Sequence, residues 1–105
     1  MASVELTAEN FDATITDNDI VIVDFWADWC GPCKMMAPVF AQAAAELEPA
    51  CLLLKVNTES AQALAARYAV RSIPTLLVIK QGKEVARQAG ALDLSRLKAW
   101  AGSYL

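Results

Sequence analysis

The segment from Ile20 to Lys34 reads IVIVDFWADWCGPCK and contains the strongest local signals in the sequence. Its first part, Ile20–Ala27, is apolar almost throughout, which is typical of a central strand covered on both faces. Two cysteines, Cys30 and Cys33, follow directly and open a segment with helical spacing. Backbone N–H groups and the dipole at a helix N-terminus favour the thiolate of Cys30, which is the reactive form of cysteine. Because Cys33 lies one turn later, within reach of a disulfide, we interpret the pair as a dithiol that cycles with its disulfide.

The size and composition of the chain indicate a single small domain. Its 105 residues suit one domain over 1–105, and a hydrophobic content of 56% can form a substantial core. No apolar run approaches the roughly 18 residues of a transmembrane helix. The N-terminal segment also lacks the basic and apolar regions of a secretory signal. We therefore expect a cytoplasmic protein with no membrane segment.

Charge and residue content exclude several classes of site. The net charge is −3, from nine basic and twelve acidic residues, so there is no electrostatic case for binding nucleic acid or an anionic membrane. The absence of histidine removes Cys–His nucleophile pairs and most mixed zinc sites, and three cysteines cannot form a four-thiolate zinc site. We therefore expect no metal. In a reducing compartment a purely structural disulfide is disfavoured, so a redox role is favoured for the pair.

The hydrophobic periodicity predicts five strands and four helices in the order βαβαβα followed by ββα. A right-handed βαβ crossover makes the second and third strands parallel, and the last two strands form an antiparallel hairpin. This predicts an α/β fold with three α/β/α layers around a mixed five-stranded sheet, with Cys30 at the carboxyl end of its strand. The predicted strands are Ser3–Leu6, Ile20–Ala27, Cys51–Val56, Thr75–Lys80 and Lys83–Gln88; the predicted helices are Ala8–Thr16 capped by Thr7, Pro32–Glu48, Glu59–Tyr68 capped by Thr58, and a last one beginning near Asp93.

The motifs of this chain resemble those of the thioredoxin family over essentially all 105 residues. The string Asp24–Lys34 is similar to the family's active-site signature, and Pro38 to its helix-kinking proline. Ile73–Thr75 resembles its cis-proline segment, while Gly82 and Gly90 match its glycines near the end of the domain. The resemblance implies the thioredoxin fold and a cis Ile73–Pro74 bond.

Two segments differ from the most common family pattern. Asn57–Glu59 and Arg71–Pro74 are more similar to thioredoxins that carry an additional N-terminal zinc ribbon. This sequence contains no such ribbon, so properties that depend on it are not carried over. Cys51 lies outside the shared motifs, and we expect it to be a buried, inert thiol.

The resemblance also implies roles for the reactive residues. Cys30 would attack the target disulfide, and Cys33 would resolve the mixed disulfide. Asp24 would accept the proton of Cys33 through water, with Lys55 as the partner of that carboxylate. A carboxylate within such an apolar strand should be buried, which raises its pKa. The alternatives are an Asp24 turned to solvent at a strand end and a Lys55 that snorkels over a sheet face.

The residues between and around the cysteines bear on selectivity. Gly31 and Pro32 carry no charge, so the thiolate has no cationic partner in the loop, and this favours a reductase over an oxidant or isomerase. An extended substrate segment could pair with the backbone of Ile73. We expect a shallow apolar docking surface formed by Trp29, Ile73, Pro74, Gly90 and Ala91.

The function that these features predict is a general protein-disulfide reductase with no bound cofactor. The resemblance implies recharging by an NADPH-dependent thioredoxin reductase, disulfide-containing target proteins as partners, and a monomer. The alternative from another class is a non-catalytic binding subunit that uses the same apolar surface as a clamp.

Overall fold

The structure is a computed structural model that describes residues 4–105, so the Ser3 start of the first predicted strand lies outside the described residues. The five strands and four helices follow in the predicted order. They are β1 Val4–Leu6, α1 Phe11–Asp17, β2 Ile20–Trp26, α2 Gly31–Leu47, β3 Leu52–Asn57, α3 Gln62–Arg67, β4 Thr75–Lys80, β5 Lys83–Ala89 and α4 Leu94–Gly102.

The strands form one mixed sheet in the order β1-β3-β2-β4-β5. β1, β3 and β2 are parallel neighbours, whereas β4 pairs antiparallel with both β2 and β5. β2 is therefore the central strand, and its run from Val21 to Phe25 is fully buried. The predicted α/β fold with a mixed five-stranded sheet is confirmed, and the apolar character of β2 follows from its cover on both faces.

Helices cover both faces of the sheet and give two separate apolar cores. One core joins α1 and α3 to the sheet through Phe11, Ile15 and Leu64. The other joins α2 and α4 through residues such as Phe40 and Leu97. Each fully buried side chain of this size contributes about 1.5–3 kcal/mol. Because side chains alternate along β2, Ile22 and Asp24 lie on the α2 face, while Val21 and Val23 belong to the other core.

Two predicted helix starts are wrong. α1 begins at Phe11 and not at Ala8, because the Thr7 amide donates to Asn10 Oδ1 at 2.8 Å in a turn before the helix. α3 begins at Gln62, and Thr58 does not cap it. The Thr58 amide and hydroxyl instead donate to the carbonyl of Trp26, at 2.8 and 3.1 Å.

Two other local predictions are confirmed. Gln81 and Gly82 both have positive φ, 52° and 81°, as a two-residue turn between β4 and β5 requires. Asp93 caps α4 by accepting a hydrogen bond from the Arg96 amide at 2.8 Å. Within residues 4–105, no helix combines the length and apolar character needed to cross a membrane.

Candidate active site

Cys30 and Cys33 are joined by a disulfide at the N-terminus of α2, with their Cα atoms 5.2 Å apart. Cys30 is the N-cap residue, and its sulfur accepts a hydrogen bond from the Cys33 amide at 3.2 Å. Gly31 and Pro32 form the exposed first turn between them. The Cys33 amide at this helix end therefore faces the leading sulfur.

The loop before β4 lies against this disulfide. The Ile73–Pro74 peptide bond is cis, which confirms the sequence prediction. The carbonyl oxygen of Ile73 lies 3.7 Å from the sulfur of Cys30. The Gly90 amide donates to the carbonyl of Pro74 at 2.9 Å, with φ of 91° at Gly90. The backbone of the loop before β4 thus borders the Cys30 sulfur.

Asp24 lies inside the α2 face of the sheet and has no solvent exposure. Its two carboxylate oxygens have no hydrogen-bond partner among the residues that the structure describes. Burial raises the pKa of this carboxyl to about 7, the positive charge of Lys55 lowers it, and the negative charge of Glu5 raises it. Asp24 can therefore gain or lose a proton near neutral pH.

Lys55 is the neighbour of Asp24 in the register of β2 and β3. Its ammonium lies 4.4 Å from the centre of the Trp26 ring, a cation–π contact. Among the described residues it makes no ion pair within 4.0 Å. Lys55 thus acts on Asp24 through its charge and not through a direct bond.

Trp29 is the most prominent apolar side chain beside the disulfide, with 70% of the residue exposed. Its indole N–H donates to Glu59 at 3.3 Å. Together with Ile73 it borders a groove of about 420 Å³, which is also lined by Thr58, Ala65, Val70, Arg71 and Ser72. These further residues come from the loop between β3 and α3, from α3 itself and from the loop before β4. They were not predicted from the sequence.

The five residues predicted to form the docking surface are not equally accessible. Gly90 and Ala91 are exposed and Ile73 is half-buried, but Pro74 is buried. Ala91 borders a second groove of about 290 Å³, with Met35, Met36, Val39, Leu92 and Asp93. Met35, which is 78% exposed, was also missed; its place one turn after Pro32 was the available signal.

The third cysteine lies at the other end of the sheet. Cys51 precedes β3 and is buried. Burial, together with the negative charge of Glu48, raises the pKa of its thiol to about 11. The nearby cavity of about 370 Å³ is bordered by polar residues such as Asp17 and Asp19. Across residues 4–105, no cluster of three or more cysteine or acidic side chains could hold a metal ion.

Comparisons with known proteins agree with this geometry. The sequence model of the family described as Thioredoxin matches residues 2–103. Thioredoxin C-3 of Corynebacterium nephridii is 47% identical over 98 residues, which are 92% of this chain and 67% of that protein. The thioredoxin of Haemophilus influenzae is 47% identical over 89 residues, 84% of this chain and 83% of that protein.

A solved structure gives the same result at the level of the fold. A point mutant of the thioredoxin from Halobacterium salinarum NRC-1 matches this chain with a TM-score of 0.88 and 35% sequence identity, covering 98% of this chain and 90% of the other. A non-catalytic clamp is not favoured by these relatives or by the intact cysteine pair. The chain therefore belongs to the thioredoxin family of protein-disulfide oxidoreductases.

Proposed function

We propose that this chain, as one domain over 1–105, reduces disulfides in target proteins with Cys30 as the nucleophile. The observation that carries the proposal is the Cys30 sulfur at the N-terminus of α2, which accepts the Cys33 amide at 3.2 Å. In the dithiol form the same amides favour the thiolate of Cys30. The uncharged Gly31 and Pro32 add no cation that would stabilise the reduced form further, which favours a reducing couple.

The reaction proceeds through two exchanges. The Cys30 thiolate attacks one sulfur of the target disulfide, forms a mixed disulfide and releases the other target sulfur as a thiolate. The Cys33 thiolate then attacks the Cys30 sulfur, which closes the Cys30–Cys33 disulfide and releases the second target sulfur. Two electrons pass to the target, and the closed disulfide is the bond found in the structure.

Asp24 serves the second exchange by accepting the proton of Cys33. Its carboxyl is buried, without a hydrogen-bond partner among the described side chains and backbone groups, and its pKa is raised to about 7 by burial. A base with a pKa near the working pH is best suited to such a transfer. Lys55 supports the ionised form of Asp24 by its charge.

Targets dock on the surface of Trp29, Ile73, Pro74, Gly90 and Ala91. The exposed indole of Trp29 supplies apolar contact, and the backbone of Ile73 pairs with an extended target segment beside the disulfide. Pro74, being buried, shapes this backbone instead of contacting the target. Electrons are resupplied by an NADPH-dependent thioredoxin reductase, and the chain works in the cytoplasm as a monomer that binds no cofactor.

The direct test is turnover of insulin disulfides with NADPH and a thioredoxin reductase. We expect NADPH oxidation that depends on this chain and stops in the Cys30→Ser variant. A Cys33→Ser variant should accumulate the mixed disulfide, which mass spectrometry detects. Insulin reduction by the unchanged chain that does not exceed that of the double Cys30→Ser and Cys33→Ser variant, with target binding retained in both, would instead indicate a clamp.

A further inference from the structure

Three charged side chains form a row across the three parallel strands. Glu5 of β1 is the register partner of Lys55 in β3, and Lys55 is the register partner of Asp24 in β2. Register partners in neighbouring strands extend their side chains on the same side of the sheet. The order across this face is therefore carboxylate, ammonium, carboxylate, and Lys55 lies between two acids.

Specific hydrogen bonds hold Glu5 in this row. Its carboxylate accepts the Trp26 indole N–H at 3.2 and 3.3 Å and the Asn57 backbone N–H at 2.8 Å. Although Glu5 lies at the surface, partial burial raises the pKa of its carboxyl against the lowering effect of these hydrogen bonds. Glu5 therefore has a fixed place in the structure that an ordinary surface glutamate lacks.

Trp26 links Glu5 to Lys55. The indole that donates to Glu5 through its N–H also presents its ring to the Lys55 ammonium, 4.4 Å from the ring centre. Lys55 is in no direct ion pair with Glu5 or Asp24 within residues 4–105, and its positive charge lowers the pKa of both carboxyls. The negative charge of Glu5 acts on Asp24 in the opposite direction and raises its pKa.

Few other ionisable groups face Asp24. On the β4 side its register partner is the apolar Leu76. In α2, which covers this face, Cys33 is the buried ionisable residue, while Lys34 and Glu46 are exposed. Cys51 lies before the opposite end of β3, and α4 contributes apolar side chains to this core. The charges of Lys55 and Glu5 are consequently the main ones that act on Asp24.

We propose that Glu5 is a positioning residue whose negative charge, held in place by Trp26 beside Lys55, shifts the pH range in which Asp24 exchanges its proton with Cys33. The catalytic part of this inference rests on the role proposed above for Asp24. The negative charge of Glu5 opposes ionisation of Asp24. Removing that charge while keeping an oxygen for Trp26 should therefore make Asp24 ionise at lower pH.

The size of the effect follows from the spacing of the strands. Neighbouring strands lie about 4.8 Å apart, so the carboxylates of Glu5 and Asp24, two strands apart, are separated by on the order of 10 Å. At that distance a unit charge changes a pKa by about 0.3 to 1, depending on the effective dielectric constant.

The test is a carbon-13 NMR titration of the Asp24 carboxyl in the full chain, with its disulfide closed. Glu5→Gln should lower the titration midpoint by about 0.3 to 1 pH unit. Lys55→Gln, which removes the charge of opposite sign, should raise it. Glu9→Gln removes the same charge from an exposed residue outside the row and should leave it unchanged. An equal midpoint in Glu5→Gln and the unchanged protein overturns the inference.

A second measurement separates this inference from the proposed role of Asp24. The pH dependence of insulin reduction should move to lower pH in Glu5→Gln by the same amount as the NMR midpoint, and a common shift supports both proposals. If the NMR midpoint moves and the rate profile does not, Asp24 is not the proton acceptor. In that case the catalytic effect of Glu5 is overturned, although its electrostatic coupling to Asp24 is supported.

Discussion

Cys30 and Cys51 are equally buried, with 4% and 3% of each residue exposed, but their surroundings differ. Cys30 follows the carboxyl end of β2 and caps α2, where the amide of Cys33 points at its sulfur. Cys51 precedes the amino end of β3, and its thiol has a pKa raised to about 11 by burial and by the charge of Glu48. At nearly equal burial the two thiols thus differ in the dipoles and charges around them, so burial alone does not decide the reactivity of a thiol.

The surfaces beside the two cysteines also differ in polarity. The groove next to the Cys30 sulfur is bordered by Trp29, Val70 and Ile73, which suit an apolar target segment. The cavity next to Cys51 is bordered by Asp17, Asp19 and Glu48, and no disulfide lies there. An apolar groove thus lies beside a disulfide only at the α2 end of the described structure.

Replacing each cysteine in turn should give the largest difference between the two thiols. Cys30→Ser should lower insulin reduction by at least about a thousandfold, because a serine hydroxyl cannot form the mixed disulfide. Cys51→Ala should leave the rate at 25 °C unchanged. The measurement is NADPH oxidation with a thioredoxin reductase, after circular dichroism has established that both variants fold. A comparable loss of insulin reduction in Cys51→Ala would contradict the proposal that only Cys30 is the reactive thiol.

The buried acid near the cysteine pair should have a large effect on stability. The Asp24 carboxyl has a pKa of about 7 in the folded chain against an ordinary value of 3.8. Below pH 4 it is protonated in both states, but between pH 4 and 7 only the unfolded chain releases the proton. The free energy of unfolding therefore falls as the pH rises through this window.

Asp24→Asn removes this titration. The free energy of unfolding of the variant, relative to that of the unchanged protein, should therefore increase as the pH rises. The difference between the folded-state pKa of about 7 and the ordinary pKa of 3.8 corresponds to a change of roughly 4 kcal/mol in the free energy of unfolding by pH 8. Urea unfolding of both proteins from pH 4 to pH 8 measures the difference, and the contributions of acids that do not interact with Asp24 cancel. Glu9→Gln, at an exposed position, serves as the control. A difference that does not vary with pH would show that Asp24 ionises normally in the folded chain.

Much of this architecture could be predicted because its signals are local. The apolar run of β2 and the cysteines before a helical pattern placed Cys30 at the start of α2, as the structure has it. Asp93 and the Gln81–Gly82 turn were also identified, since a cap and a positive-φ turn depend on adjacent residues.

The features that could not be predicted depend on contacts between distant residues. The hydroxyl of Thr58 donates to the carbonyl of Trp26, 32 positions away, so it does not cap α3 although threonine is a suitable residue for a helix N-cap. The bond from Trp26 to Glu5 spans 21 positions and requires the register of β1, β3 and β2. The groove beside Trp29 likewise combines residues from separate elements, and no periodicity within one element indicates it.

The rate of alkylation measures the difference in reactivity between Cys30 and Cys51 without any substitution. At neutral pH, a thiol with a pKa of about 11 has roughly 100-fold less thiolate than one at the ordinary 9.0, and burial slows its reaction further. After reduction of the disulfide, iodoacetamide should therefore label Cys30 at least about 100-fold faster than Cys51. Mass spectrometry of timed samples measures both rates. In urea the two rates should converge, and similar rates in the folded protein would contradict the proposed difference.

The smallest expected effect concerns the surface that brings targets to the reactive sulfur. Trp29→Ala removes the exposed indole, and an apolar side chain that contacts a partner contributes about 1 kcal/mol, so KM for insulin should rise roughly fivefold with little change in kcat. Val85→Ala is the matched control, because Val85 is also an exposed apolar residue but lies on β5 outside both grooves. A fall in kcat at constant KM would mean that Trp29 orients the cysteine pair and does not bind the target. Equal KM values for the two variants would remove Trp29 from the docking surface and leave Ile73 and its backbone to supply the contact.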